Sequence, residues 1–108
     1  MDTKNTVTQK EIADWKKEFG HVYRTRIGGI DVFWHKLRRK EYVDIMTADY
    51  EEDGQARIFA RQDRIVKSAT LYPENVQEYI DGLAGFSTSI ADEIMDRSGF
   101  NVAETEEL

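Results

Sequence analysis

Two histidines, runs of adjacent carboxylates, a serine behind a glycine and a knot of bases beside a tryptophan are what this 108-residue chain offers to chemistry. A metal would need His21 and His35 to converge with further ligands. A two-residue turn at Gly28-Gly29 pairs positions whose numbers sum to 57, setting His21 opposite Lys36 and His35 opposite Val22. The histidines are thereby neighbours, but a lysine crowds them and no carboxylate is close in sequence. Structural histidines are expected, with no metal and no other cofactor.

Acid–base catalysis needs two carboxylates held in one cleft with separated proton affinities. Glu51-Glu52-Asp53 and Asp92-Glu93 are adjacent acids, and neighbours on a helix point to different sides. They read as solvated surface. Gly85-Phe86-Ser87-Thr88-Ser89 departs from a nucleophile elbow at its last position, where serine replaces glycine. Gly28-Gly29 is too short to cradle a phosphate. The absence of cysteine removes thiol nucleophiles, thiolate metal sites and disulfides. No enzyme and no catalytic residue is expected.

Nucleic-acid binding has more to draw on. Lys36-Leu37-Arg38-Arg39-Lys40 follows Trp34, and Arg24 and Arg26 lie on the paired strand. Bases interleaved with exposed aromatics track phosphates and stack on nucleobases. A pI near 4.9 and an acidic C-terminal third oppose it, since both repel a polyanion.

The charge is lopsided. The chain carries 21 acidic and 15 basic side chains for a net charge of −6. Residues 74–108 hold nine acids and one base, Arg97, so that third stands at −8 and the preceding 73 residues at +2. Within residues 21–40, six bases face one acid, Asp31. Basic middle and acidic end are expected to attract within one molecule or between copies, so that deleting residues 101–108 would alter self-association. Hydrophobic residues at 40% and charged ones at 33% are the composition of a globular domain. No apolar run approaches the ~20 residues of a membrane span, and residues 1–10 are too polar for a signal peptide.

The elements that must position these groups follow from periodicity. Thr8-Gln9-Lys10-Glu11 is a capping box, and Ile12, Trp15 and Phe19 share one face of the helix Gln9–Phe19, closed by Gly20. Residues 21–27 and 30–36 form a hairpin around Gly28-Gly29. Residues 39–52 read as a helix with Tyr42, Ile45, Met46 and Tyr50 inward, ended by Asp53-Gly54. Residues 55–70 read as another, with Ile58, Phe59, Ile65, Val66 and Ala69 inward and Arg57, Arg61, Arg64 and Lys67 outward. Pro73 opens a helix over 74–81 that closes at Gly82. Ser87 caps a last helix over 88–97, which ends in a Schellman turn at Ser98-Gly99-Phe100 with Phe100 folding back onto it. The expected fold is α+β: an N-terminal helix, one β-hairpin, then about four mostly short helices. Residues 1–7 form a flexible N-terminus, 8–100 a single domain and 101–108 an acidic disordered tail.

Arg38, Arg39 and Lys40 at a helix start oppose the helix dipole, at about 0.3–1 kcal/mol each. Such a placement suggests an acidic partner, and the −8 segment of the same or a neighbouring chain would serve.

The order of motifs also carries a resemblance. An aromatic strand leads into Leu37-Arg38-Arg39-Lys40-Glu41-Tyr42, a helical stretch ends in Leu71-Tyr72-Pro73, and the last helix runs Ile90-Ala91-Asp92-Glu93-Ile94-Met95-Asp96-Arg97-Ser98-Gly99-Phe100. Over residues 22–100 this series resembles small tailed-phage proteins of the tail assembly chaperone, minor tail and baseplate-assembly type. In that group a serine or threonine often stands at the position of Arg38. The resemblance implies a non-catalytic chaperone that binds the helical tape measure protein in the bacterial host cytoplasm. The alternatives are a structural component of the virion tail, baseplate or head–tail region and a nucleic-acid-binding regulator. Phage tail proteins and further copies of the chain are the implied partners, with no membrane. The expected partner-binding residues are Trp34, Arg38, Arg39, Lys40, Tyr42, Met46, Tyr50, Tyr72, Tyr79 and Phe100. An apolar groove is expected to draw on Tyr42, Met46, Tyr50, Phe59, Tyr72, Tyr79, Met95 and Phe100.

Overall fold

The computed structural model describes residues 6–100 and 103–108. Residues 1–5, and with them most of the expected flexible N-terminus, lie outside the described residues, as do 101 and 102. Among the described residues are five helices and one three-stranded antiparallel sheet, a mixed α+β domain.

The first helix, α1 (Gln9–Phe19), starts where its sequence dictates. The Glu11 backbone N–H donates to the Thr8 hydroxyl at 3.1 Å, and the Thr8 N–H donates to the Glu11 carboxylate at 2.9 Å. Both N–H groups otherwise have no partner within the helix. Ile12, Trp15 and Phe19 are half-buried along its inner stripe.

β1 (Tyr23–Ile27) and β2 (Ile30–Trp34) pair from Tyr23 with Trp34 to Ile27 with Ile30, the expected register. Gly28 and Gly29 both take positive φ, 59° and 81°, as a type I′ hairpin turn requires. Gly28 is needed for a second reason: a Cβ there would stand 2.7 Å from Leu83 Cδ1, in the segment before the last helix.

A third strand, β3 (Thr70–Tyr72), corrects the reading of a single hairpin. It pairs with β2, Phe33 with Tyr72 and Trp34 with Thr70, with a register shift between Phe33 and Trp34. The His35 N–H then donates to the Ala69 carbonyl at 3.0 Å. Three residues are too few to show a period of two, and β2 is what makes them a strand. The peptide bond from Tyr72 to Pro73 is cis.

The remaining helices shift at their ends. α2 (Arg39–Thr47) stops short of residue 52. Thr47 turns its hydroxyl onto the Val43 carbonyl at 2.8 Å, and Ala48 is extended. Asp53-Gly54 therefore opens the next helix, α3 (Gly54–Ala69), rather than ending the previous one. α4 (Val76–Gly82) begins after Asn75, and Pro73 is buried ahead of it instead of in its first turn. α5 (Phe86–Arg97) has Gly85 as its N-cap, two residues before the expected one, so Ser87 lies within its first turn, buried. Its Schellman ending is present: the Phe100 N–H donates to the Met95 carbonyl at 3.2 Å and the Gly99 N–H to the Asp96 carbonyl at 3.4 Å. The Phe100 ring packs on Tyr42 of α2, 4.8 Å between centroids.

The sheet separates two layers. Val32 and Trp34 join Leu37, Ile45, Ile65, Val66, Ala69, Phe86, Ile90, Ala91 and Ile94 in the core on one face. On the other face, α1 sets Trp15 6.0 Å from Phe33 and stacks Phe19 on His35 at 4.0 Å.

Candidate partner-binding surfaces

Of the expected aromatic contact residues, Trp34 is in the core at 1% exposure, its indole N–H donating to Thr25 Oγ1 at 2.9 Å. No partner reaches it in this fold, which corrects its assignment to a binding surface. It also removes Trp34 as a stacking platform beside the basic knot. Tyr72 lies edge-on to Phe33 at 6.1 Å, Tyr79 stacks on Phe86 at 6.1 Å, and Tyr42 and Phe100 cover each other. All four are half-buried, and Tyr79 packs against the core.

The knot itself is partly neutralised from within its helix. The Arg38 backbone N–H donates to the Glu41 carboxylate at 2.8 Å, and Arg38 Nε lies 3.6 Å from the same group. This is half a capping box, since a guanidinium has no acceptor to return to the helix. Lys40 Nζ reaches Asp44 at 3.1 Å. Both pairs are largely exposed and contribute little to stability. Arg39 borders a shallow pocket of about 290 Å³ with Leu37, Tyr42, Gly99 and Phe100. Its floor is tied by Ser98, whose hydroxyl accepts from the Leu37 N–H at 2.9 Å and donates to the Ile94 carbonyl.

α3 departs most from its amphipathic reading. Ile65, Val66 and Ala69, in its C-terminal half, are buried as expected. Ile58 and Phe59 are not: they stand 47% and 56% exposed. Residues 54–59 are all exposed, so the first turns of α3 run past the core that supports the rest. Below this overhang, Met46 of α2, Ile58 and Ile65 of α3, and Ala91 and Met95 of α5 line an apolar groove of about 250 Å³, edged by Arg61, Gln62 and Asp92. Met46 and Met95 are both among the residues expected at a groove, whereas the periodicity of α3 places Ile58 in the core. Arg61, expected outward, is half-buried and closes one end. Its Nη2 donates to the Met46 carbonyl at 3.4 Å, and its guanidinium lies 5.8 Å from the Tyr50 ring centre. Arg64 flanks the same ring at 5.9 Å, and the Tyr50 hydroxyl donates to the Ile45 carbonyl at 2.7 Å. Tyr50 is thereby held between two guanidinium groups and its own hydrogen bond, and it lines a separate pocket with Asp63, Arg64 and Lys67.

The candidates for chemistry occupy differing environments. His35 is buried, with Nδ1 3.0 Å from the Lys36 carbonyl, while His21 is exposed. No group of three or more His, Asp or Glu side chains among the described residues is arranged to hold a metal ion. Glu51, Glu52, Asp53, Asp92 and Glu93 are exposed, and Ser87 Oγ is buried without a hydrogen-bond partner. Among the described residues no helix is long and apolar enough to cross a membrane. The chain matches no protein-family model, no curated protein and no solved structure.

Proposed function

We propose that this chain is a non-catalytic phage tail assembly protein, a chaperone whose groove between α2, α3 and α5 holds an amphipathic helix of the tape measure protein. The observation that carries this reading is the groove lined by Met46, Ile58, Ile65 and Met95, with Phe59 exposed on the same overhanging helix. A helix laid in a groove presents apolar side chains at three- and four-residue spacing. Two flexible methionines let one groove accept differing sequences. Full burial of a Phe or Ile side chain is worth about 1.5–3 kcal/mol. Ile58 and Phe59 are already about half-covered, so each has roughly 1 kcal/mol left to give a partner. Arg61 and Asp92 supply a charged rim of both signs that sets orientation.

Co-expression with the neighbouring open reading frames, followed by affinity capture, tests the reading. Recovery of a very long helical protein supports it, and a clean monomer without partner counts against it. A structural role in the virion is distinguished by finding the chain in mature particles, from which an assembly chaperone is absent. A nucleic-acid binder would lose affinity steeply with salt, whereas capture by an apolar groove would not.

A further inference from the structure

β1 is an edge strand. The sheet order is β1-β2-β3, and among the described residues nothing pairs with the outer side of Tyr23–Ile27. Unpaired strand edges are templates for a further strand, and proteins guard them with charge. Here the guard is Arg24 and Arg26, both exposed and both on the face away from the core. Arg26 has one acidic neighbour, Asp31, at 3.2 Å across the strand pair. At the other end of the chain, residues 103–108 are exposed and in no regular element, and they read Ala-Glu-Thr-Glu-Glu-Leu. The edge strand reads Tyr-Arg-Thr-Arg-Ile. Both segments alternate charge about a central threonine.

We infer that residues 103–108 of a second copy add to the open edge of β1 as an antiparallel strand, so that two copies exchange acidic tails. In that register Glu106 falls opposite Arg24, Thr105 opposite Thr25 and Glu104 opposite Arg26. Opposite charges and paired threonines are the favourable cross-strand neighbours. The other face fits as well. Glu107 arrives beside Tyr23, where the Arg97 guanidinium already lies 5.7 Å over the ring. Ala103 meets Ile27, and Leu108 meets Val22. The parallel arrangement would match the same arginines but would set Glu107 against Ile27, at the opposite end of the strand from Tyr23 and its Arg97. A slip of one residue would turn both glutamates to the face that carries Tyr23 and Ile27. Charge, period and face thus select one segment and one register, and concentration dependence separates a second copy's tail from the chain's own. The proposal stands apart from the α3 groove, which the tail does not touch.

Sedimentation of the full chain over about 10–500 μM, at low and at high salt, reads the exchange. A dimer that weakens several-fold from about 50 to 500 mM salt is expected, because exposed charges are screened over that range. Glu104→Lys with Glu106→Lys alters only exposed tail residues and should weaken the dimer at least about tenfold, by setting like charges opposite one another. Arg24→Glu with Arg26→Glu should do the same, and mixing the two variants should restore a heterodimer. If the edge variant does not fold, the tail variant is titrated instead with the synthetic peptide Ala-Glu-Thr-Glu-Glu-Leu. Amide shifts in Tyr23–Ile27, absent with Ala-Lys-Thr-Lys-Glu-Leu, support the proposal. A monomer at all concentrations, a dimer indifferent to the tail charges, or peptide shifts centred on residues 36–40 would overturn it.

Discussion

Trp34 and Thr25 sit diagonally across the β1–β2 pair, joined by a 2.9 Å hydrogen bond from the indole N–H to the threonine hydroxyl. That bond lets the largest ring of the core be buried without an orphaned donor, since a buried indole N–H needs an acceptor. Tyr23, directly opposite Trp34, stacks on it at 4.7 Å and carries Arg97 on its outer face. The hairpin and the end of α5 are therefore locked through one column of rings.

Thr25→Val keeps the shape of that site and removes its acceptor. The Trp34 N–H is then buried unpaired, at a cost of about 1–3 kcal/mol. Urea denaturation should show a lower midpoint with an unchanged slope. A variant as stable as the parent would mean that the indole finds another acceptor or water.

The turn packing gives a second expectation. Gly28→Ala must bear both a positive φ and contact with Leu83 Cδ1, whereas Gly29→Ala bears only the positive φ, with nothing within 4 Å of the new Cβ. A left-handed alanine costs about 1–2 kcal/mol. Gly28→Ala should therefore be the more damaging, and Leu83→Ala should recover part of the excess. A double-mutant cycle measures that coupling; strict additivity would show that Leu83 moves aside freely.

How α1 is held separates it from the core. Trp15 meets Phe33 and Phe19 meets His35, and its inner residues are half-buried rather than buried. Phe19→Ala is expected to cost about 1–2 kcal/mol, well below the 3–5 typical of a fully buried phenylalanine. Amide exchange should rise in Gln9–Phe19 and stay unchanged in α5, whose Ile90 and Ile94 are fully buried. Equal loss of protection in α5 would make α1 part of the same cooperative unit.

Local signals account for what the sequence made legible. Thr8 and Glu11 mark a helix start within four residues, and Gly28-Gly29 fixes the hairpin register by its own backbone needs. Thr70-Leu71-Tyr72 carries no such signal, because its pairing partner lies some 40 residues earlier in Phe33 and Trp34. Trp34 looked like a surface ring because bases follow it, yet Lys36 is exposed while Trp34 points to the core. Periodicity placed Ile58 and Phe59 on an apolar stripe but held no information on where the support beneath α3 ends. Met46 and Met95 are expected at a groove; Ile58 is not, because a stripe continuous in sequence is covered at one end and bare at the other.

The bare end yields the last expectation. Phe59→Asp and Ile58→Asp replace side chains that are about half-exposed, so stability should change by no more than about 0.5–1 kcal/mol. Ile90→Asp, at a fully buried site, should abolish folding, because an unpaired buried carboxylate has no compensation. If the α3 overhang meets a partner helix, the two surface variants lose capture while their thermal melts stay near the parent's. Met46→Asp should lose capture too, since Met46 lines the same groove from α2. Undiminished capture by all three variants would move the binding surface away from the groove. A large stability loss in Phe59→Asp would instead show that the overhang is held more tightly than its exposure indicates.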